Sequence, residues 1–170
     1  MQRWPVNDWV RPGDLAALRL ATGARTRTWE PGPGALTLTS DAGALRLEFV
    51  SGARHSPEPN ERSLAARVRG WGACVVLTGD AREAGVDAWL EAWAQTEAAP
   101  ARADLLVWPH HGDPTERASE LIDALRPAEV WISAARRGAI GPELQRRGLA
   151  VRTTASAGPL RFSAGPDKPP

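Results

Sequence analysis

The sequence predicts one α+β domain in which a β-sheet carries helices on one face. Segments that alternate apolar and polar residues come first along the chain, and helical and strand-like segments alternate after them. The 170 residues are 42% hydrophobic and 24% charged, which is enough apolar material for one core but not comfortably for two. We therefore place a single domain at 1–163 and a Pro-rich, disordered tail at 164–170.

The order of the predicted elements supports this fold class. Period-two alternation and β-branched or apolar runs predict strands, and apolar residues at i, i+3 and i+4 predict helices. The predicted elements are a helix at 15–21, a hairpin of strands 36–39 and 45–49, strands 63–69 and 73–78, a helix at 84–98, a strand at 103–108, a helix at 115–125, a strand at 129–133, a helix at 142–147, a strand at 149–153 and an edge strand at 158–162.

Charge and cysteine content limit the class of protein. Lys and Arg number 21 and Asp and Glu 20, so the net charge of +1 is not that of a dedicated nucleic-acid binder. The arginines fit a solvated surface, and an Arg-lined phosphate groove at Arg136–Arg137 and Arg146–Arg147 is the alternative. Cys74 is the only cysteine, so no internal disulfide forms, and its apolar run predicts a small buried side chain.

The sequence shows neither a secretory signal nor an apolar stretch that approaches the roughly 20 residues of a membrane-spanning helix. We therefore expect a soluble chain that is cytoplasmic by default and reaches a membrane only through a partner. The eight tryptophans predict extensive core packing, and a cluster of exposed ones would instead indicate a docking surface.

Three short segments carry the candidate chemistry: 60–64 (Asn-Glu-Arg-Ser-Leu), 77–80 (Leu-Thr-Gly-Asp) and 109–112 (Pro-His-His-Gly). Asp80 follows a strand and a glycine, and His110 and His111 follow the next predicted strand. Carboxylate and imidazole together suit Zn²⁺ or Mn²⁺. Since neighbouring strand residues point in opposite directions, one histidine should face the site and the other should orient it or bond the backbone. A simple turn at Asp80 and a structural histidine pair are the alternatives.

The order and spacing of these segments resemble the ComEC family of competence proteins, in which a metallo-β-lactamase-like nuclease domain is attached to a membrane channel. The matching pattern continues through 103–106 (Ala-Asp-Leu-Leu), Pro127, 130–133 (Val-Trp-Ile-Ser) and 148–153, and covers about 15–162. It corresponds to the C-terminal half of such a domain. The resemblance implies a partial αββα sandwich, metal-dependent phosphodiester hydrolysis of DNA during uptake, and a membrane channel as a partner.

The resemblance also implies roles for residues. It makes Asp80 the bridging ligand, His110 or His111 a terminal ligand, and Asn60 and Ser63 polar groups near the site. The family's His-x-His-x-Asp-His motif, which supplies most ligands, is missing, and Asp113 stands where the family has serine. The segment 136–142 has no histidine where the family has Gly-His-Pro. His55, a loop histidine, could supply a stray ligand or simply lie at the surface.

With so few ligands we expect weak metal binding, or none, and little hydrolysis by the chain alone. Three hypotheses follow: a catalytically incomplete relative of the nuclease, a half that complements a separate N-terminal half-domain, and a non-enzymatic interaction module.

A half sandwich should expose an apolar face, or cover it by forming a homodimer or with its own N-terminal segment. The candidates for that face are Trp71, Trp108 and Trp131. Asp80 and the histidine pair should lie at one sheet edge.

Overall fold

A computed structural model describes residues 35–39, 45–96, 102–134 and 139–162. These residues form a single mixed sheet of seven strands that lie in sequence order from one edge to the other. The strands are β1 (Ala35–Thr39), β2 (Leu45–Ser51), β3 (Leu64–Gly70), β4 (Ala73–Leu77), β5 (Leu105–Val107), β6 (Glu129–Ile132) and β7 (Ala150–Thr153). The described helices are α1 (Glu83–Thr96), α2 (Ala118–Leu125), α3 (Gly141–Arg146) and α4 (Thr154–Ala157), with 3-10 turns at Pro59–Arg62 and His110–Gly112.

The sheet changes character at its central strand. Strands β1 to β4 pair antiparallel, whereas β4 to β7 pair parallel. Helix α1 connects β4 to β5, α2 connects β5 to β6, and α3 lies between β6 and β7, as parallel neighbours require a crossover. The predicted mixture of an antiparallel part followed by alternating helix and strand is confirmed.

One face of the sheet, which we call the first face, packs against helices. Val50, Val76, Leu106 and Val130 lie on it and are fully buried. They form one apolar cluster with side chains of the first three helices, including Trp89, Trp93, Leu121, Leu125 and Leu144. The predicted core packing of the tryptophans in 84–98 is therefore confirmed.

The first face also buries an ion pair. Glu48 and Arg67 are directly opposite each other on β2 and β3, and they are 0% and 1% exposed. Arg67 Nε contacts Glu48 Oε2, Arg46 reaches the other carboxylate oxygen at 2.6 Å, and the Arg67 guanidinium lies 5.6 Å from the Trp93 ring centroid. Each charge is therefore compensated inside the core.

The opposite face of the antiparallel strands, the second face, is also apolar. Its members form two cross-strand rows, Leu47–Val68–Val75 and Phe49–Ala66–Leu77. Five of the six side chains are half-buried, and Leu77 is 43% exposed. Leu105 and Val107 continue this face across β5. None of these side chains belongs to the core cluster that the helices cover.

The three tryptophans predicted for an exposed face have different environments. Trp71, at the β3–β4 turn, is 62% exposed, and Trp131 is half-buried on the second face with the Phe162 ring edge-on to it at 6.3 Å. The prediction for Trp108 is wrong, because this side chain follows Leu106 in alternation, lies in the core, and is 2% exposed. Its indole N–H donates to the Asp113 carbonyl.

Two predicted elements differ from the structure. The edge strand at 158–162 is not formed: α4 precedes it, Gly158 has φ +67°, and the following residues are irregular. The helix predicted at 115–125 begins only at Ala118, because Thr115 Oγ1 accepts the Arg117 N–H and holds a turn there. The predicted helix at 15–21 and the tail at 164–170 lie outside the described residues, so the domain limits stay predictions.

Cys74 is buried on the first face. Burial raises the pKa of its thiol, against a smaller lowering by the neighbouring Arg69, so the side chain is an uncharged, poorly nucleophilic thiol at neutral pH. Within the described ranges, no helix is both long and apolar enough to cross a lipid bilayer.

Candidate functional site

The candidate site lies where the parallel strands end. Strands β4 to β7 all run in one direction, so the residues that follow them meet at one edge of the sheet. Asp80 follows β4, His111 follows β5, Ser133 follows β6 and Thr154 follows β7. Sites in open α/β sheets form outside this carboxyl edge.

Asp80 and His111 are neighbours at this edge. Asp80 Oδ1 lies 3.4 Å from His111 Nε2, and the two side chains are 49% and 66% exposed. This is the juxtaposition that the strand ends predict, and the two atoms are close enough to share a cation. Their roles as ligands stay predictions.

The second ring nitrogen of His111 fixes its tautomer. His111 Nδ1 lies 2.8 Å from the Ser133 carbonyl oxygen. Since a carbonyl can only accept, Nδ1 carries the hydrogen, and the neutral ring then presents the Nε2 lone pair toward Asp80. A histidine held in this way by a backbone carbonyl is typical of metal ligands.

His110 has a different environment. Its Nδ1 lies 2.8 Å from Asp113 Oδ2, and its Nε2 lies 3.2 Å from the Asn60 side-chain nitrogen. A proton on Nδ1 donated to the carboxylate leaves Nε2 to accept from the amide, so both nitrogens are engaged. His111 is therefore the better candidate ligand, and His110 joins the 60–64 segment to the site.

The two histidine rings contact different partners, but strand alternation, which the sequence predicted as the reason, is not the cause. They lie in a 3-10 turn rather than a strand, and their φ values are +48° and +54°. Left-handed backbone is costly for a side chain with a Cβ, and such conformations concentrate at functional sites. This turn, and not strand alternation, directs the two rings to different partners.

The segment 60–64 organises the site through Asn60, Ser63 and, at the N-terminus of α1, Glu61. Asn60 contacts His110, as described above. Ser63 Oγ accepts the backbone N–H of Asp80 at 3.1 Å, and its carbonyl accepts the Trp89 indole N–H at 3.0 Å. Ser63 thus links Asp80 to helix α1.

Glu61 caps the N-terminus of α1. Its Oε2 accepts the N–H groups of Arg82 at 3.1 Å and of Gly85 at 2.6 Å. A carboxylate here satisfies two free donors and complements the helix dipole. The segment therefore couples α1 to the loop that carries Asp80.

Close backbone approaches hold these segments together. A Cβ on Gly79 would lie 2.7 Å from Ser63 Cβ, one on Gly85 would lie 2.7 Å from the Glu61 carbonyl oxygen, and one on Gly52 would overlap that same oxygen. The loops after β4 and β5 are joined directly, because His110 N–H donates to the Gly79 carbonyl at 3.2 Å. The site is thus built on a fixed frame.

We expect Gly85→Ala to destabilise the protein, although alanine ordinarily stabilises a helix interior by about 1 kcal/mol relative to glycine. The added methyl group would collide with Ala81 Cβ and with the Glu61 backbone, and such overpacking costs about 1–3 kcal/mol. Urea unfolding measures the change. Gly141→Ala is the matched control, because its Cβ would make only an ordinary contact with Ile132. Equal stability of the two variants would contradict the crowding at Gly85.

An open cavity of about 530 Å³ lies beside His111 and is lined by that residue and by Ser133, Ala134 and Thr154. Thr154 Oγ1 accepts the Ala134 N–H and donates to the Ala134 carbonyl, both at 2.9 Å. These two bonds join the segment after β6 to the first residue of α4, and the cavity offers space for a small polar group beside His111.

The remaining predicted site residues lie elsewhere. His55 is exposed in the loop after β2. Arg147 pairs with Glu143 on α3 at 2.6 Å, Arg146 is exposed beside it, and residues 136–137 fall outside the described part. Among the described residues, no group of three or more His, Cys, Asp or Glu side chains is arranged to hold a metal ion.

Sequence reasoning missed one functional neighbour. Asp113 was noted only as a departure from the family pattern, yet it holds His110 Nδ1. The i, i+3 spacing of His110 and Asp113 was the available signal, because residues three apart in one helical turn lie side by side.

Comparison with protein-family models finds no match to this chain, and comparison with curated proteins finds none either.

Proposed function

We propose that the chain supplies two ligands, Asp80 and His111, to a divalent-cation site of the metallo-β-lactamase type that acts on phosphodiesters, and that further ligands must come from another polypeptide. The observation that carries this proposal is the 3.4 Å approach of Asp80 Oδ1 to His111 Nε2, together with the Ser133 carbonyl that fixes the histidine tautomer. The resemblance to the competence nucleases supplies the phosphodiester class and DNA as the substrate.

The donor set fits the proposed metal. Carboxylate oxygen and imidazole nitrogen suit Zn²⁺ or Mn²⁺, and both groups are exposed enough to accept an ion without local unfolding. A divalent cation bound there would polarise a phosphoryl oxygen and acidify a water molecule. Asp80 and His111 would orient it, and Ser63 and Ser133 would hold these two side chains in place.

Two ligands do not complete a tetrahedral shell, which is why the chain alone is proposed to be catalytically incomplete. The architecture supports a half-domain in the same way. A single sheet with helices on its first face and apolar residues on its second face is the arrangement that half of an αββα sandwich would have.

A second candidate function is a non-enzymatic interaction module. The observation that favours it is the exposure of Trp71, at 62%, and of Leu77, at 43%. Trp71 also has φ +51°, an unfavourable backbone conformation for a bulky residue. Exposed aromatic side chains of this kind act as anchors in protein interfaces.

Metal binding by the full chain tests the first proposal. We expect weak Zn²⁺ or Mn²⁺ binding in equilibrium dialysis that is lost in Asp80→Ala and in His111→Ala, because each removes one of the two ligands. His55→Ala is the matched control, since it deletes an exposed histidine outside the carboxyl edge, and should bind as the parent does. Binding that is unchanged in both site variants would contradict the proposal.

We expect no DNA cleavage above background by the chain alone with Mg²⁺, Mn²⁺ or Zn²⁺, because two ligands cannot position a water molecule and a phosphate reproducibly. A time course on linear duplex and single-stranded DNA, run beside Asp80→Ala, measures this. Metal-dependent cleavage that disappears in the variant would show that the ligand set is more complete than proposed. Cleavage that persists in the variant would come from a contaminant.

A further inference from the structure

We infer that the amino edge of the sheet, where the parallel strands β4 to β6 begin, binds single-stranded nucleic acid through Trp71, Arg102 and Arg126. The indole ring stacks on a base, and the two guanidinium groups bind phosphates. This edge is at the opposite end of the strands from Asp80 and His111, and the inference does not rest on the cation site proposed there.

The three residues precede three neighbouring strands. Trp71 lies two residues before β4, Arg102 three residues before β5, and Arg126 three residues before β6. Since β4, β5 and β6 are parallel neighbours, the residues that precede them meet at one edge of the sheet.

Backbone pairing sets the order of the three residues along this edge. The Ala103 N–H donates to the Leu125 carbonyl at 2.8 Å, so Arg102 and Arg126, which adjoin these two residues in the chain, are neighbours. Trp71 precedes β4, which is one strand further along the sheet. Because adjacent strands are about 4.8 Å apart, the edge from Trp71 to Arg126 spans about 10 Å. One extended ligand can therefore contact all three residues.

All three side chains are open to solvent. Trp71 is 62% exposed, and Arg102 and Arg126 are exposed as well. No carboxylate in the part of the chain that the structure describes forms an ion pair with either arginine. The net charge of +1 therefore conceals two cations beside an exposed aromatic ring, and a local positive field of this kind attracts anions.

The backbone at this edge takes conformations that are unfavourable for its residues. In the described part of the chain, four residues other than glycine have a positive φ: His110 and His111 at the carboxyl edge, and Trp71 (+51°) and Arg126 (+42°) at the amino edge. Asparagine and glycine are preferred in a two-residue hairpin turn and after a helix. Strain of this kind is concentrated at functional sites, so the side chains at these two positions are assigned a function.

An indole ring beside two guanidinium groups fits a ligand that has both accessible aromatic rings and repeated anions. Single-stranded nucleic acid has both, because its bases stack on tryptophan and its phosphates pair with arginine. In a duplex the bases are stacked on one another, so only the phosphates would reach this edge. An anionic lipid surface likewise offers phosphates without aromatic rings.

Fluorescence anisotropy of labelled oligothymidylate, titrated with the full chain at low salt and with EDTA, tests the inference. We expect the single strand to bind more tightly than a duplex of the same length. Trp71→Ala should weaken binding of the single strand about 10-fold, the usual effect of losing one stacked base. Trp71→Phe keeps an aromatic ring and should retain most of the binding.

The salt dependence separates the arginines from the tryptophan. Arg102→Ala/Arg126→Gly removes two phosphate contacts, and should reduce the slope of log affinity against log salt by about 1.4. Glycine at 126 suits the left-handed backbone. Trp71→Ala should leave that slope unchanged, because a stacked base releases no counterions. Arg54→Ala/Arg161→Ala is the matched control, since it removes two charges from exposed positions outside this edge, and it should bind as the parent does.

Several outcomes would overturn the inference. A parent chain that binds no oligothymidylate, or binds single strand and duplex equally, excludes base stacking at this edge. Folded Trp71→Ala that binds as the parent does, with folding checked by circular dichroism, excludes Trp71 as the platform. Equal losses in the two double variants exclude Arg102 and Arg126 as the phosphate contacts. Tighter binding to anionic lipid vesicles than to oligothymidylate would make the edge a membrane contact instead. EDTA keeps the Asp80–His111 pair out of the measurement, so the proposed function stands or falls separately.

Discussion

Replacing Glu48 with leucine is expected to lower the free energy of unfolding by about 3–5 kcal/mol, the cost of breaking a buried ion pair on one side. Glu48 and Arg67 are 0% and 1% exposed and lie opposite each other in the β2–β3 register. The substitution removes the carboxylate that Arg67 Nε contacts and leaves the guanidinium in the core. The Trp93 ring, 5.6 Å from the guanidinium, offsets only a part of this loss, since a cation–π contact contributes about 0.5–2 kcal/mol.

Urea unfolding measures the change, and two controls identify its cause. The double variant Glu48→Leu/Arg67→Met removes both charges, and should recover most of the lost stability, because apolar replacements of buried pairs are often neutral or stabilising. Glu143→Leu breaks the exposed pair with Arg147, and should cost under about 1 kcal/mol. A loss no larger in Glu48→Leu than in Glu143→Leu would show that the buried pair contributes little.

The same strand shows what sequence periodicity can predict. Alternation in 45–49 (Leu-Arg-Leu-Glu-Phe) correctly predicts a strand in a hairpin, and the pairing of β1 with β2 confirms it. Periodicity does not identify the face that the helices cover. Here Glu48 faces the helices, and Leu47 and Phe49 lie on the second face. The Glu48 carboxylate can lie in the core because Arg67 opposes it on β3 and pairs with it. Val50, on the same side of β2, adds an apolar side chain to the core.

The candidate site was predictable in part. A carboxylate and a histidine at the ends of neighbouring parallel strands must lie close together, and Asp80 and His111 do. The choice between His110 and His111 was not predictable, because it depends on two left-handed residues in a 3-10 turn. It also depends on Asn60, which is 50 residues away in the chain from the ring that it contacts.

The element ends were the least predictable part. The expected strand at 158–162 failed because Gly158 takes a positive φ after α4, a tertiary choice that alternation cannot reveal. The exposed-face prediction for Trp108 failed for a related reason. Strand β5 has only three residues, and Trp108 follows it directly. The orientation of Trp108 is set by its backbone N–H, which donates to the Trp131 carbonyl.

Replacing Trp89 with alanine is expected to cost about 3–5 kcal/mol of unfolding free energy, as large-to-small changes of fully buried aromatic residues do. Trp89 is 0% exposed and belongs to the core cluster, and its indole N–H donates to the Ser63 carbonyl. The loss has a second consequence at the site. Ser63 Oγ also accepts the Asp80 backbone N–H, so this variant should bind divalent cations more weakly than the parent chain does.

Two comparisons assign the effect to burial and to the Ser63 contact. Trp71→Ala removes the same ring from a position that is 62% exposed, and should change stability by no more than about 0.5 kcal/mol. Trp89→Phe keeps most of the buried ring but loses the indole N–H, and should cost about 1–2 kcal/mol. The Ser63 carbonyl still accepts the Gly52 N–H at 2.9 Å in that variant, so the carbonyl keeps a partner. Urea unfolding in which Trp71→Ala costs as much as Trp89→Ala would contradict the assignment of Trp89 to the core. Such a result would place the stabilising tryptophan packing at the β3–β4 turn instead.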